Sequence, residues 1–207
     1  MEKLDLKKKW QQLYAGKPGV IVAVEVPQLA YLMVDGEGDP NTAQSYQEAI
    51  EALFSLSYTL KFVFKKGPRA IDYGVMPLEG MWWADDPRDF GGEGLQANKS
   101  KWKWTMMIVQ PEFIAQAHVD AAMEEVRKKK NPAALNRVRF ETLIEGTSAQ
   151  VLHVGPFSAE GPVIQRMHDF IHAAGKELCG KHHEIYLSDP RRTAPEKLKT
   201  ILRQPMG

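Results

Sequence analysis

The stretch Tyr186-Leu187-Ser188-Asp189-Pro190-Arg191 repeats, in altered letters, an earlier one, Trp83-Ala84-Asp85-Asp86-Pro87-Arg88. Downstream of each lies a second matched pair, Ile108-Val109-Gln110-Pro111 and Leu202-Arg203-Gln204-Pro205. Each match is short, and their weight comes from falling at equivalent places in a predicted order of elements. Before the first pair, Leu29–Asp35 reads as a strand and the residues after Asp39-Pro40 as a helix. Ile71–Trp83 and Trp102–Val109 then read as two more strands. Around the second pair the order recurs: strand Gln150–Val154, a helix after Ser158, then strands His182–Ser188 and Leu198–Arg203. Strand, helix, strand, strand, stated twice, predicts an internal duplication. The expected fold is α+β: a tandem β-α-β-β unit forming a mostly antiparallel sheet, with helices on one face and a ligand groove on the other. The expected bounds are residues 27–111 and 137–207 for the two repeats, joined by residues 112–136, within one domain spanning 1–207.

The helices have readable ends. In the first, Asn41 is the expected N-cap and Tyr46, Ile50, Leu53, Phe54 and Ser57 form the apolar stripe. Lys65-Lys66-Gly67-Pro68 closes it with charge matched to the helix dipole, a glycine tolerant of left-handed backbone and a breaker. In the second, Ser158 is the expected cap, Val163, Ile164, Met167, Phe170, Ile171 and Ala174 the buried side, and Gly175 the stop. A third helix is expected over Ala117–Lys130. Arg137–Ile144, rich in alternating apolar residues, is expected to pair with Gln150–Val154 in a hairpin across Glu145-Gly146.

Composition excludes several classes. The 207 residues carry 27 Lys plus Arg against 26 Asp plus Glu, a net charge of +1, without the basic surplus of a duplex-DNA binder. One cysteine, Cys179, allows no internal disulfide and no cysteine-based zinc site. The apolar stretch Val20–Val26 is interrupted by Glu25 and falls far short of the ~20 residues that cross a bilayer. Met1–Trp10 lacks the apolar core of a signal peptide. A cytoplasmic protein is expected, a monomer or weak homodimer, with no membrane or direct nucleic-acid partner. Residues 1–26 are too few for a helix-turn-helix with its supporting helices.

Strand alternation sorts the candidate chemistry. In His182-His183-Glu184-Ile185-Tyr186-Leu187, His183, Ile185 and Leu187 point one way and Glu184 and Tyr186 the other. The aliphatic pair fits the helix-covered face, which assigns Glu184 and Tyr186 to the open one. The repeat alignment matches Met81 to Glu184 and Trp83 to Tyr186, and Trp102 and Trp104 extend the same aromatic wall. One carboxylate among aromatic rings suits a bulky, flat, apolar or cationic ligand, and burial would make that carboxylate a usable general acid or base. The residues alone equally allow Glu184 to be a solvated strand residue and the tryptophans to be core. His153 faces either the cleft or a local hydrogen bond. His168 and His172, four apart on a helix, lack a third ligand, and His182-His183-Glu184 matches no metal motif. No metal or cofactor is expected: there is no phosphate-binding loop, nucleophile elbow or dinucleotide fingerprint, and Gly91-Gly92-Glu93-Gly94 reads as a flexible loop.

Four motifs together resemble the GyrI-like small-molecule-binding family, and more closely its stand-alone bacterial branch. They are Asp35-Gly36-Glu37-Gly38-Asp39-Pro40, Pro77-Leu78-Glu79-Gly80-Met81-Trp82-Trp83, His153-Val154-Gly155-Pro156-Phe157 and His183-Glu184-Ile185-Tyr186-Leu187-Ser188-Asp189-Pro190-Arg191. The resemblance covers nearly the whole chain. It implies a duplicated strand-helix-strand-strand fold around a hydrophobic groove. It also implies a groove glutamate, matched here by Glu184, that meets lipophilic cations in drug-sensing relatives. Some stand-alone relatives hydrolyse strained cyclopropanes of DNA-alkylating natural products, so a detoxifying hydrolase is the leading expectation. Glu184, Tyr186 and, from the first helix, Tyr58 are the implied catalytic residues. Met81, Trp83, Trp102, Trp104, His153 and Phe157 are the expected ligand-binding residues. A non-catalytic multidrug-binding, sensing or sequestering module, or an interaction protein of the gyrase-modulator kind, is the alternative.

Overall fold

In the computed structural model, which describes residues 2–86, 89 and 98–207, the chain opens with β1 (Glu2–Leu4), α1 (Leu6–Lys9) and α2 (Gln11–Tyr14). Then come β2 (Ile21–Val26), β3 (Leu29–Glu37), α3 (Gln44–Lys66), β4 (Ile71–Tyr73), β5 (Glu79–Trp83) and β6 (Lys103–Gln110). After α4 (Gln116–Lys129) follow β7 (Arg139–Leu143), β8 (Gly146–Val154), α5 (Gly161–Ala173), β9 (His182–Tyr186) and β10 (Lys199–Pro205). The proposed loop at Gly91-Gly92-Glu93-Gly94, with Pro87 and Arg88 of the repeated motif, lies outside the described residues. The fold is α+β, on an eight-stranded antiparallel sheet in the order β2-β8-β10-β9-β5-β6-β3-β7.

The expected strand Ile71–Trp83 is two strands. Ile71–Tyr73 leaves the main sheet and pairs in parallel with Glu2–Leu4, and only Glu79–Trp83 lies between β6 and β9. The helix α3 forms over a long run free of Gly and Pro. It buries Ala49, Ala52, Leu53, Leu56, Ser57, Leu60 and Phe64, a stripe rotated from the expected one, since Tyr46, Ile50 and Phe54 stay half-buried. Its N-cap is Ala43 and not Asn41, whose side chain instead bonds Asp39 in the preceding turn. Gly67 ends it in extended backbone, φ −79°. A glycine is needed there for space, because a Cβ would stand 2.7 Å from the Val63 carbonyl oxygen. In α5 the N-cap is Glu160, with Ser158 in a preceding 3-10 turn, and Gly175 stops the helix at φ +69°.

The expected hairpin between Arg137–Ile144 and Gln150–Val154 does not form. β7 pairs with β3, Leu143 opposite Leu29, and β8 pairs with β2, Val151 opposite Ile21. The linking pair Ile144-Glu145 lacks hairpin-turn chemistry. Glu145 is drawn inward to His183 and Arg203, so the chain passes over to the other strand set. Each leading strand, β2 and β7, thus closes the sheet beside the half that it does not precede.

The register also decides the faces. Gly80 stands opposite Glu184 and Met106, and Trp82 opposite His182 and Trp104. Tyr46 of α3 lies against both Trp82 and Trp104, so Glu184, Tyr186, Trp82 and Trp104 all occupy the helix-covered face. The expectation that the helices take the other face is not met. Aliphatic burial misled because the far face is sealed as well, by Trp10, Leu13 and Tyr14 of the N-terminal segment. That seal is polar at its centre. His183 meets Glu79 and Glu145, each at 2.9 Å, and Tyr14 donates to Glu79. Arg203 donates to Glu145, to Gln150 and to the Leu13 carbonyl.

Candidate functional site

Glu184 sits in the middle of β9, flanked by Gly80 on one side and Leu202 on the other. Its side chain is 15% exposed. A chain of hydrogen bonds fixes it: Trp82 Nε1 donates to the Tyr186 hydroxyl at 2.9 Å, and that hydroxyl donates to Glu184 Oε2 at 2.7 Å. The indole and phenol meet across Gly80, where a Cβ would lie 2.8 Å from Trp82 Nε1 and 3.2 Å from the phenol oxygen. Aromatic rings surround the acid. Tyr46 and Trp102 stand 6.0 and 5.7 Å from Trp82, and Phe157 meets Tyr186 edge-on at 5.8 Å. His182 Nε2 is 3.4 Å from Glu184 Oε1.

A second carboxyl, absent from the sequence-based expectations, adjoins this group. Glu160, 4% exposed, precedes α5. Burial first, and the Glu184 charge second, push it well above the usual carboxylate range and so favour its neutral form, against a smaller opposing pull from the Thr200 hydroxyl. Burial and the same charge also raise the phenols of Tyr186 and Tyr46. The site therefore joins one acceptor carboxyl to several groups that hold their protons, the combination that serves general acid–base chemistry. Among the described residues, no group of three or more His, Cys, Asp or Glu is placed to hold a metal ion.

The structure brings together Glu184, Tyr186, Trp102 and Phe157, which is 42% exposed at the rim. Trp104 shares their face but is fully buried beneath Tyr46, so it is core and not wall. His153 is buried on that face opposite Thr200, its Nε2 3.2 Å from the Pro156 carbonyl. Met81 stands opposite His183 and, like Trp83, points to the far face, where the Lys181 ammonium lies 3.2 Å from the Trp83 ring centre. Tyr58 is 48% exposed and stacked on Phe54, about 18 Å along α3 from Tyr46 at 1.5 Å per residue. These three are not brought to Glu184. The residues missed were Trp82, Tyr46, Glu160 and Gly80. Trp82 and Gly80 would have emerged from an alignment one residue over, matching Trp82 and not Trp83 to Tyr186.

A model of the GyrI-like small molecule binding domain matches residues 21–205. No curated protein matches the chain. Among solved structures, an uncharacterized conserved protein from Listeria innocua is 38% identical, with a TM-score of 0.88, over 99% of this chain and 100% of that one. A structure described as a hydrolase from Listeria innocua is 37% identical, with a TM-score of 0.87, over 100% of both chains. The C-terminal domain of EcmrR shares the fold at 11% identity and a TM-score of 0.54, over 91% of this chain and 97% of that one. No helix among the described residues is long and apolar enough to cross a membrane.

Proposed function

Because the chain belongs to the GyrI-like small-molecule-binding family, we propose that the Glu184 cleft binds a bulky hydrophobic or aromatic, neutral or cationic, small molecule and hydrolyses strained cyclopropane-bearing xenobiotics. The observation that carries this reading is Glu184 itself, half-buried among aromatic side chains and held by the Tyr186 phenol at 2.7 Å. Full-length relatives described as hydrolases support the reaction class. Glu184 takes a proton from a water whose oxygen bonds to a ring carbon. The ring C–C bond breaks, its electron pair moves to the conjugated acceptor group, and that group takes up a proton, so that one water is added overall. Ring strain supplies the driving force, so positioning and general base catalysis of ~10²–10⁴-fold suffice. Tyr58 has no part in this scheme.

The duplication reading is supported by a single shift that carries Ile21 onto Val138, Leu29 onto Gly146 and Glu37 onto Val154, and that begins the first repeat at β2, ahead of residue 27. That shift reproduces both exchanged pairings. It also brings Gly38 onto Gly155, and both have positive φ.

The test is incubation of purified protein with a spirocyclopropyl cyclohexadienone. The expected product is heavier by one water and forms over many turnovers. Glu184→Gln is expected to lower the rate ~10²–10⁴-fold while leaving binding of a neutral aromatic ligand within a few-fold. A lipophilic dye that raises the melting temperature, with no turnover of any strained substrate, would instead make the protein a binding module.

A further inference from the structure

The side chains around Glu160 leave its charge with nothing to balance it. From its own side of the sheet it faces Glu184 and Tyr186 on β9 and Thr200 on β10. Beyond these lie the His153 imidazole on β8, opposite Thr200, the His182 imidazole beside Glu184 and the Tyr46 phenol on α3. The groups that act on Glu160 include no lysine or arginine. Its Oε1 is buried without a hydrogen-bond partner among the described residues, and the Thr200 hydroxyl beside it, which favours ionisation, does so less than burial and the Glu184 charge oppose it. An ionised carboxylate there would bear the full cost of desolvation beside another negative charge, whereas a carboxylic acid bears a small fraction of it. The backbone adds no hydrogen bond to the carboxyl: Glu160, the N-cap of α5, makes no side-chain cap bond, and Pro162 in the first turn has no N–H to offer. A sealed acid with one oxygen unbonded, next to a half-buried acceptor, is a group that a ligand completes.

Resting on the hydrolase reading above, we propose that Glu160 and Glu184 form a pair that holds one proton, with Glu160 its donor and Glu184 its acceptor. In turnover, Glu184 takes one proton from water as the water oxygen bonds to the ring carbon and the C–C bond breaks. The freed electron pair reaches the conjugated oxygen of the substrate, which takes the proton of Glu160. The pair again holds one proton, now on Glu184, and a single transfer back to Glu160 resets it. The net change is the addition of one water, with no other reactant.

Two measurements test this. Infrared spectra of the free protein should contain the carbonyl band of a protonated carboxyl at neutral pH. That band should be lost in Glu160→Gln. In Glu184→Gln it should persist but titrate at lower pH than in the wild type, because the neighbouring like charge is gone. With the spirocyclopropyl cyclohexadienone as substrate, Glu160→Gln should lower kcat ~10²–10⁴-fold with KM within a few-fold. It should also erase the alkaline fall of the wild-type pH–rate profile, and Glu160→Asp should recover part of the rate. Absence of the protonated band, an unchanged titration in Glu184→Gln, or full activity of Glu160→Gln overturns the pair. A wild type that turns nothing over, yet keeps the band and its shift, overturns the hydrolase reading and supports the pair as part of a binding site.

Discussion

Two glycines, Gly36 in the core and Gly80 in this site, show how much hangs on single atoms. At Gly36 a Cβ would fall 2.1 Å from the ring of Trp104, a fully buried side chain with nowhere to move. At Gly80 the nearest atom would be Trp82 Nε1 at 2.8 Å, on a ring bonded to the Tyr186 phenol. Gly36→Ala is therefore expected to destabilise more than Gly80→Ala, the latter by ~1–3 kcal/mol, as overpacking does, with urea unfolding as the measurement. Gly80→Ala should also part the indole from the Tyr186 phenol and reduce ligand binding well beyond the effect of Gly36→Ala, which titration with a fluorescent aromatic ligand would detect. Equal loss of binding in the two variants would show that the indole–phenol contact has no special role. At this scale the sequence already held Glu184 and Tyr186, since alternation along one strand fixes which neighbours share a face. It could not supply Trp82. The misaligned repeat was off by one residue, and one residue of slip turns every side chain to the opposite side of a strand.

Among the elements, α2 and the loop before β8 are tied to the sheet by the charged network of Glu79, Glu145, His183 and Arg203. Burial disfavours ionisation of His183, yet Glu145 and Glu79 raise it to about 9 from 6.5. Burial likewise works to raise Glu145, and the His183 and Arg203 charges overcome this and hold it at about 2 from 4.5. A raised imidazole stabilises the folded state fully below about pH 6.5 and loses that contribution as pH climbs through about 9. A lowered carboxyl stabilises above about pH 4.5 and loses its contribution as pH falls through about 2. The network is thus at full strength between those inner limits and weakens on both sides. The urea midpoint of the wild type should fall between pH 6.5 and 9, and His183→Asn should start lower and show a flatter slope across that interval. The same slope in both proteins would place the alkaline loss elsewhere. Arg203→Met leaves Glu145 a buried charge short of a partner and is expected to cost ~3–5 kcal/mol. None of this was legible in the letters, because Tyr14, Glu79, Glu145, His183 and Arg203 come from five separated segments. His183 read as an aliphatic-face residue for the sole reason that Ile185 lies beside it in the pattern.

For the whole molecule, the exchange of β2 and β7 means that neither strand set is complete without the other. Among the described residues, β2 hydrogen-bonds in the sheet only to β8 and β7 only to β3, while β5 and β9 join the two sets at the centre. Unfolding should therefore be one cooperative transition, with equal calorimetric and van't Hoff enthalpies, and separately expressed fragments 1–111 and 112–207 should be unfolded alone and fold on mixing. Two resolved transitions, or one fragment stable by itself, would show that the exchange does not bind the halves into a unit.

The sequence by itself determined the α+β class, the three long helices, most of the strands, and the glutamate and tyrosine on one strand. These follow from local periodicity and from the backbone chemistry of Gly and Pro, which act over a few residues. Tertiary structure alone decided which face the helices cover, where β7 finds its partner, and that a second acid stands behind the first. Both faces of the sheet are buried, so hydrophobic pattern could not tell them apart. The pairing of Glu160 with Glu184 arises where the start of one helix meets a strand beyond it, a distance in the chain over which no local rule reaches.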